Sequence, residues 1–181
     1  AGQSNAGEQG DIAEALTPDP LKAFVYNTDT TISSIVEPVI SGVGTKATCW
    51  SSFASAYPEL SGNKVGITIQ AVGGAAQTAA ADGGTGHYDD GGTLYGTMVA
   101  QYDAAKVAFE ALGYSVNMKG MLWIQGEQDA IKIGDGTINE GDYYNALANM
   151  LSKLRAKYHE SFPVYCVRTG TRTGVVDLTR S

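Results

Sequence analysis

At 181 residues, 43% hydrophobic and 17% charged, the chain has the length and apolar content of a single packed domain. Its 19 acidic and 12 basic residues give a formal charge of -7, which argues against nucleic acid or an anionic membrane as partner, since no basic patch is present to neutralise phosphates. No apolar run approaches the roughly 20 residues of a membrane helix, so membrane insertion is not expected.

In chain order, the first segment is a polar turn, AGQSNAGEQG at 1–10, with no strand in front of it. A helix is predicted over TCWSSFASAYPEL, 48–60. KVGITIQAV, 64–72, is apolar and β-branched and is followed by Gly-Gly, the pattern of a buried strand ending in a tight turn. Over 95–114, Met98, Tyr102, Ala105, Phe109 and Leu112 recur at helical spacing, and Gly113 is placed to end the helix. KGMLWIQG, 119–126, reads as a second buried strand. A second amphipathic helix is predicted over 141–162, with Tyr144, Leu147, Leu151 and Leu154 on one face. PVYCV, 163–167, is a third strand. This alternation predicts an α/β domain with a parallel sheet covered by helices, whose ligands bind at the carboxyl ends of the strands.

Three polar motifs fall at such ends. GQSN at 2–5 offers Ser4 as a nucleophile: Gly2 permits the tight turn, and a following helix start would aim amide N–H groups at the site. Taken alone, it also reads as a capped turn. AVGGAAQT at 71–78 offers Gly73 and Gly74, where a backbone N–H can approach a ligand closely. WIQGEQDA at 123–130 offers Gln125, an amide donor for a developing oxyanion, and Glu127, able to orient neighbours; otherwise it is a polar loop after a strand, with Trp123 in the core. The spacings GxxxxGK[ST] and GxGxxG are absent, which argues against a nucleotide site.

In this order the three blocks resemble the SGNH hydrolases, specifically the sialate O-acetylesterase-like branch that includes carbohydrate esterase family six. The resemblance covers most of the chain, from GQSNAGEQG through VGITIQAVGGAAQT, GGTLYGTM, GMLWIQGEQDA and YYNALANMLSKLR to FPVYCVR. It implies a three-layer α/β/α flavodoxin-like fold with a central parallel sheet, in one SGNH-like domain over 1–181. It also implies a serine esterase that removes O-acetyl groups from carbohydrate with no metal or organic cofactor. By this resemblance Ser4 is the nucleophile, and the oxyanion hole is the N–H of Ser4, the N–H of Gly74, with that of Gly73 as the alternative, and the side chain of Gln125. Gly2, Gln3, Asn5, Gly73 and Glu127 support them. Glycan substrates fit an extracellular or virion-associated setting, and a larger polypeptide or assembly is expected around the chain.

Two departures bear on chemistry. The family's Gly-Gly block runs on to a Trp, and GGAAQTAAADGG has none. The family's D-x-x-H block is also missing: Asp177 is followed three residues on by Arg180. These gaps predict truncation at both ends, of a strand before Ala1 and an Asp-His block after Ser181; the alternative is a carbohydrate-binding or structural module that has lost its base, as in a virus or phage surface protein. Of the two histidines, His159 ends a helix, a structural position favoured by the helix dipole. His87 lies in the polar loop DGGTGHYDDGG, with Asp82, Asp89 and Asp90 near it, and is the one candidate base within the chain; a solvated loop histidine is the plainer reading. That loop lacks the ligand pattern of an EF-hand. Cys49 and Cys166 are expected to be buried thiols, one long-range disulfide being the alternative.

Without its base, a serine hydrolase retains only the part of its rate enhancement that comes from binding and the oxyanion hole, about 10³–10⁴ over water. The 181-residue chain is therefore expected to hydrolyse acetyl esters far below an ordinary esterase rate. Turnover at a normal rate in a steady-state assay would show that a base lies within these residues.

Overall fold

The computed structural model describes residues 1–2, 6, 10–39 and 46–167. They fall into two compact units, one drawn from Asn5–Ala71 and Met98–Met118, the other from Ala1–Ser4, Val72–Thr97 and Lys119–Ser181.

The first unit contains a three-stranded sheet in the order β2–β1–β3, formed by β1 (Ala23–Tyr26), β2 (Ile32–Ser34) and β3 (Val65–Thr68). β1 and β3 are parallel, with Val25 opposite Ile67; β1 and β2 are an antiparallel hairpin, with Val25 opposite Ser33. The hairpin modifies the all-parallel expectation. Its turn is closed by Asp29, which accepts hydrogen bonds from the N–H of Thr31 at 3.0 Å and its hydroxyl at 2.6 Å. Helix α1 (Cys49–Ser61) falls close to the predicted 48–60. Thr48 caps it by accepting from the Trp50 N–H at 3.1 Å, and Glu37 in turn holds Thr48 through its N–H and hydroxyl at 3.0 and 2.7 Å. The Trp50 indole N–H donates to the Ala6 carbonyl at 2.7 Å.

Helix α2 (Thr93–Ala111) is the predicted 95–114 helix. Tyr26, Ala105 and Phe109 form an apolar cluster with Phe24, Ile32, Ala108 and Val116 around it. Strand β3 comes close enough to this cluster that a Cβ on Gly66 would lie 2.7 Å from the Phe109 ring. Leu112 was expected on the apolar stripe but is 61% exposed. It follows the last helical residue, where Tyr114 N–H bonds the Phe109 carbonyl and Gly113 N–H the Glu110 carbonyl. This is a Schellman ending around the left-handed Gly113, and it turns the chain off the helix before Leu112 can face the core.

The second unit holds strands β4 (Met121–Trp123) and β5 (Val164–Cys166), paired in parallel with Leu122 opposite Tyr165. Ala1–Gly2 runs along the other side of β4: the Ala1 nitrogen donates to the Leu122 carbonyl at 2.8 Å, and the Ile124 N–H to the Ala1 carbonyl at 3.1 Å. Two helices follow β4. Helix α3 (Glu127–Gly134) begins inside the motif that was open to a polar-loop reading. Helix α4 (Glu140–Lys157) starts at a reciprocal capping box between Asn139 and Asp142. It buries Ala146, Met150 and Leu154 and leaves Tyr144 70% exposed. The core stripe runs one position earlier than predicted through Tyr143, Ala146 and Met150 and meets the prediction at Leu154, and the helix ends five residues sooner than 162. Trp123 and Phe162 are core residues, each 1% exposed. Both cysteines are free and exposed rather than buried or bridged: Cys49 opens α1 on its outer side, and Cys166 lies on β5, whose side chains are only partly covered.

Truncating Phe109 removes one of the three aromatic side chains of its cluster. Phe109→Ala is expected to lower unfolding free energy by about 3–5 kcal/mol, read by urea denaturation; a change below about 1 kcal/mol would mean that the cluster does not carry this unit.

Candidate active site

Gly2, Val72–Thr78 and Trp123–Ala130, parts of the three sequence motifs, meet in the second unit. The Gly2 carbonyl accepts from the Val72 N–H at 3.1 Å and from the Tyr88 hydroxyl at 2.9 Å. Gly2 itself pairs with Ile124. The start of GQSN thus lies between the residue preceding Gly-Gly and the residue preceding Gln125. Gly2 is required there: its φ is +146°, and a Cβ would stand 2.0 Å from the Ile124 carbonyl oxygen. Tyr88 is fully buried and packs edge-on to Trp123, ring centroids 4.9 Å apart; burial pushes its hydroxyl well above the ordinary tyrosine range, so it is a neutral donor. Gln3, Ser4 and Asn5 lie outside the described residues.

After Val72 the chain turns at Gly73–Gly74, closed by the Ala75 N–H to the Val72 carbonyl at 3.2 Å. Gly74 is left-handed at φ +73°. Its carbonyl accepts from the Thr85 hydroxyl at 2.8 Å, whereas its N–H has no partner among the described residues.

Gln125 follows β4 and is 5% exposed. Its amide donates to the Ala75 carbonyl at 3.2 Å and to Asp129 Oδ2 at 2.6 Å. Turning the amide over would set its oxygen against two acceptors, so the orientation is determined by its neighbours. Asp129 is the residue that sequence reasoning passed over. It is fully buried in the first turn of α3. Oδ2 also accepts from the Gln77 N–H at 2.7 Å, and Oδ1 from the Thr78 N–H at 3.0 Å and the Thr78 hydroxyl at 2.9 Å. Its signal was the four-residue spacing from Gln125, which puts two polar side chains on one face of a helical turn. Glu127, in the same first turn, is half-buried. Tyr143 bonds the Gln125 carbonyl at 3.4 Å, and its hydroxyl is pushed up to about 12, by burial first and then by the charge of Asp129.

His87 belongs to a loop fastened along Gly74–Ala76, through Ala76 N–H to the Gly86 carbonyl and Tyr88 N–H to the Ala76 carbonyl. Asp82 organises the loop by accepting from the N–H groups of Gly86 and Gly84 at 2.9 and 2.8 Å, which hold its carboxyl below the usual range. The His87 ring is seated against Gly92, where a Cβ would lie 2.7 Å from Nδ1, so only glycine fits. Asp90 pairs with Lys153 of α4. His159 lies just past the α4 cap, with Nδ1 3.2 Å from the Ser161 hydroxyl and its ring against Phe162. No group of three His, Cys, Asp or Glu residues able to hold a metal occurs among the described residues, and no described helix is long and apolar enough to cross a membrane.

The profile of the family described as "Carbohydrate esterase, sialic acid-specific acetylesterase" matches residues 1–180. The chain belongs to this carbohydrate esterase family. A crystal structure of an Arabidopsis thaliana protein has a similar fold, with a TM-score of 0.67 at 22% identity over 91% of this chain and 70% of that one. No curated protein sequence matches the chain significantly. Family membership makes carboxylic ester hydrolysis on a carbohydrate the general chemistry to which the site is to be fitted.

Gly2→Ala is expected to destabilise the fold by at least the roughly 1–3 kcal/mol of a strained backbone residue, with the Ile124 overlap in addition. Thermal unfolding reads this directly; an unchanged midpoint would contradict the close pairing of Gly2 and Ile124.

Proposed function

We propose that the chain is the catalytic domain, or most of it, of a serine esterase that removes O-acetyl groups from carbohydrate through an acyl-enzyme, on the three-layer α/β/α SGNH scaffold with a central parallel sheet. The observation that carries the reading is the convergence of Gly2, Gly74 and Gln125 around one set of strand ends. Gly2, two residues before Ser4, pairs with Ile124 and bonds Val72, and Gln125 is a buried amide donor bonded to Ala75, next to Gly74; this supports the reading.

In this reading Ser4 Oγ attacks the acetyl carbonyl carbon. The carbonyl oxygen becomes the oxyanion and is held by the N–H groups of Ser4 and Gly74 and by Gln125, while the sugar hydroxyl leaves with a proton. Water then attacks the acyl-enzyme and acetate departs. Gln125 takes part by releasing its longer bond, the 3.2 Å one to Ala75, and keeping the 2.6 Å one to Asp129. Gly73, Gln3, Asn5 and Glu127 support the turn and the donors. The reaction needs a proton acceptor for Ser4. His87 is the candidate within these residues, although its ring is set against Gly92; a histidine oriented by an aspartate, as in the family's D-x-x-H block, is the other.

A second reading is favoured by the placement of both histidines against other partners, His87 at Gly92 and His159 at Ser161 and Phe162: a binding module that keeps the glycan surface without the base. One experiment separates the two. Intact mass spectrometry of the source protein, before and after a fluorophosphonate probe, is expected to show a single adduct that Ser4→Ala removes. If no adduct forms on a folded protein that still binds acetylated glycans, the module reading stands and the esterase reading falls.

A further inference from the structure

We propose that Asp129 is a positioning residue for the esterase reaction: its carboxylate sets the Gln125 amide and the Gly74 N–H at the separation the oxyanion requires. The inference rests on the oxyanion-hole reading above.

The bonds form a closed circuit. Asp129 Oδ2 holds the Gln125 amide at 2.6 Å and the Gln77 N–H at 2.7 Å. Oδ1 holds Thr78 through N–H and hydroxyl at 3.0 and 2.9 Å. From Gln77 the chain runs back through Ala76 to Ala75, whose carbonyl accepts the other Gln125 hydrogen at 3.2 Å. Gly74 is the next residue. Two donors from distant parts of the sequence are thereby referred to one carboxylate.

Backbone bonds tie Ala76 to the 86–88 loop, whereas the bonds of Asp129 join this segment to α3 and Gln125 together. The Gln77 side chain is fully buried, and neither end of its amide has a partner among the described residues; its backbone, not its side chain, fixes it. All four acceptor directions of the carboxylate are taken, and no cation pairs with it among the described residues. A negative charge this near an oxyanion would oppose it, so the contribution of Asp129 is geometric, and the four donors aimed at the carboxylate offset its field.

The test is a double-mutant cycle on 4-nitrophenyl acetate hydrolysis, which reads the oxyanion-hole part of the rate even where the base is missing. Gln125→Ala is expected to cost about 10²-fold in kcat. Asp129→Asn, which turns an amide N–H toward the Gln77 or Thr78 donors, is expected to lower kcat by about 10–100-fold with KM within about twofold. In the Gln125→Ala background the same change is expected to cost less than about threefold. Should Asp129→Asn fail to fold, Thr78→Val, which removes one of the four donors, takes its place in the cycle with a smaller kcat loss that again vanishes with Gln125→Ala. Equal losses in both backgrounds, or an unchanged kcat, overturn the positioning role alone. A Gln125→Ala rate equal to that of the unsubstituted chain overturns the oxyanion-hole reading, and this inference with it.

Discussion

The carboxylate of Asp129 is the point to which the site is tied. A buried carboxylate is costly unless its acceptor directions are met, and here four N–H and O–H groups from Gln77, Thr78 and Gln125 meet them. The same bonds that compensate its burial join the first turn of α3 to the segment after Gly-Gly. Removing the carboxylate would leave four buried donors unsatisfied, so the arrangement is all or nothing.

Around that anchor the parallel pairing of Ala1–Gly2 with β4 brings strand ends together. Parallel neighbours present their carboxyl ends at one edge, which is where α/β folds place ligands. Gly2 allows the backbones to approach because it has no Cβ to meet the Ile124 carbonyl. Tyr88 fixes the result from below, a neutral donor on the Gly2 carbonyl locked edge-on against Trp123. The loop that carries Tyr88 and His87 is itself pinned to Gly74 and Ala76. Among the described residues His87 is the one candidate base, and its ring rests against Gly92.

Strong periodicity was legible. α1, α2, β3, β4 and β5 fall within a few residues of their predicted spans, because apolar spacing and cap residues act locally. The β1–β2 hairpin was not read, since its strands are four and three residues long and the signal in AFVY is too short to separate from loop. Tyr144 was assigned to the buried stripe of α4 because Tyr143 and Tyr144 are equally apolar in sequence; only the packing of Ala146 and Met150 selects between them. The cysteines were misjudged for a related reason: a thiol's preference for burial says nothing about which side of its helix or strand is covered.

The sequence by itself determined the alternation of strands and helices, the order of the three blocks and, through them, the family. Those are properties of neighbouring residues, whose spacing and turn chemistry are written along the chain. Tertiary structure alone decided that Asp129 ties the blocks together, that Gln125 spends both amide hydrogens on Ala75 and Asp129, and that His87 rests against Gly92. The bonds that decide them join Asp129 to Gln77 and Thr78 and Gln125 to Ala75, about 50 positions apart, or depend on a backbone too close for a Cβ, and chain-local patterns do not record such meetings.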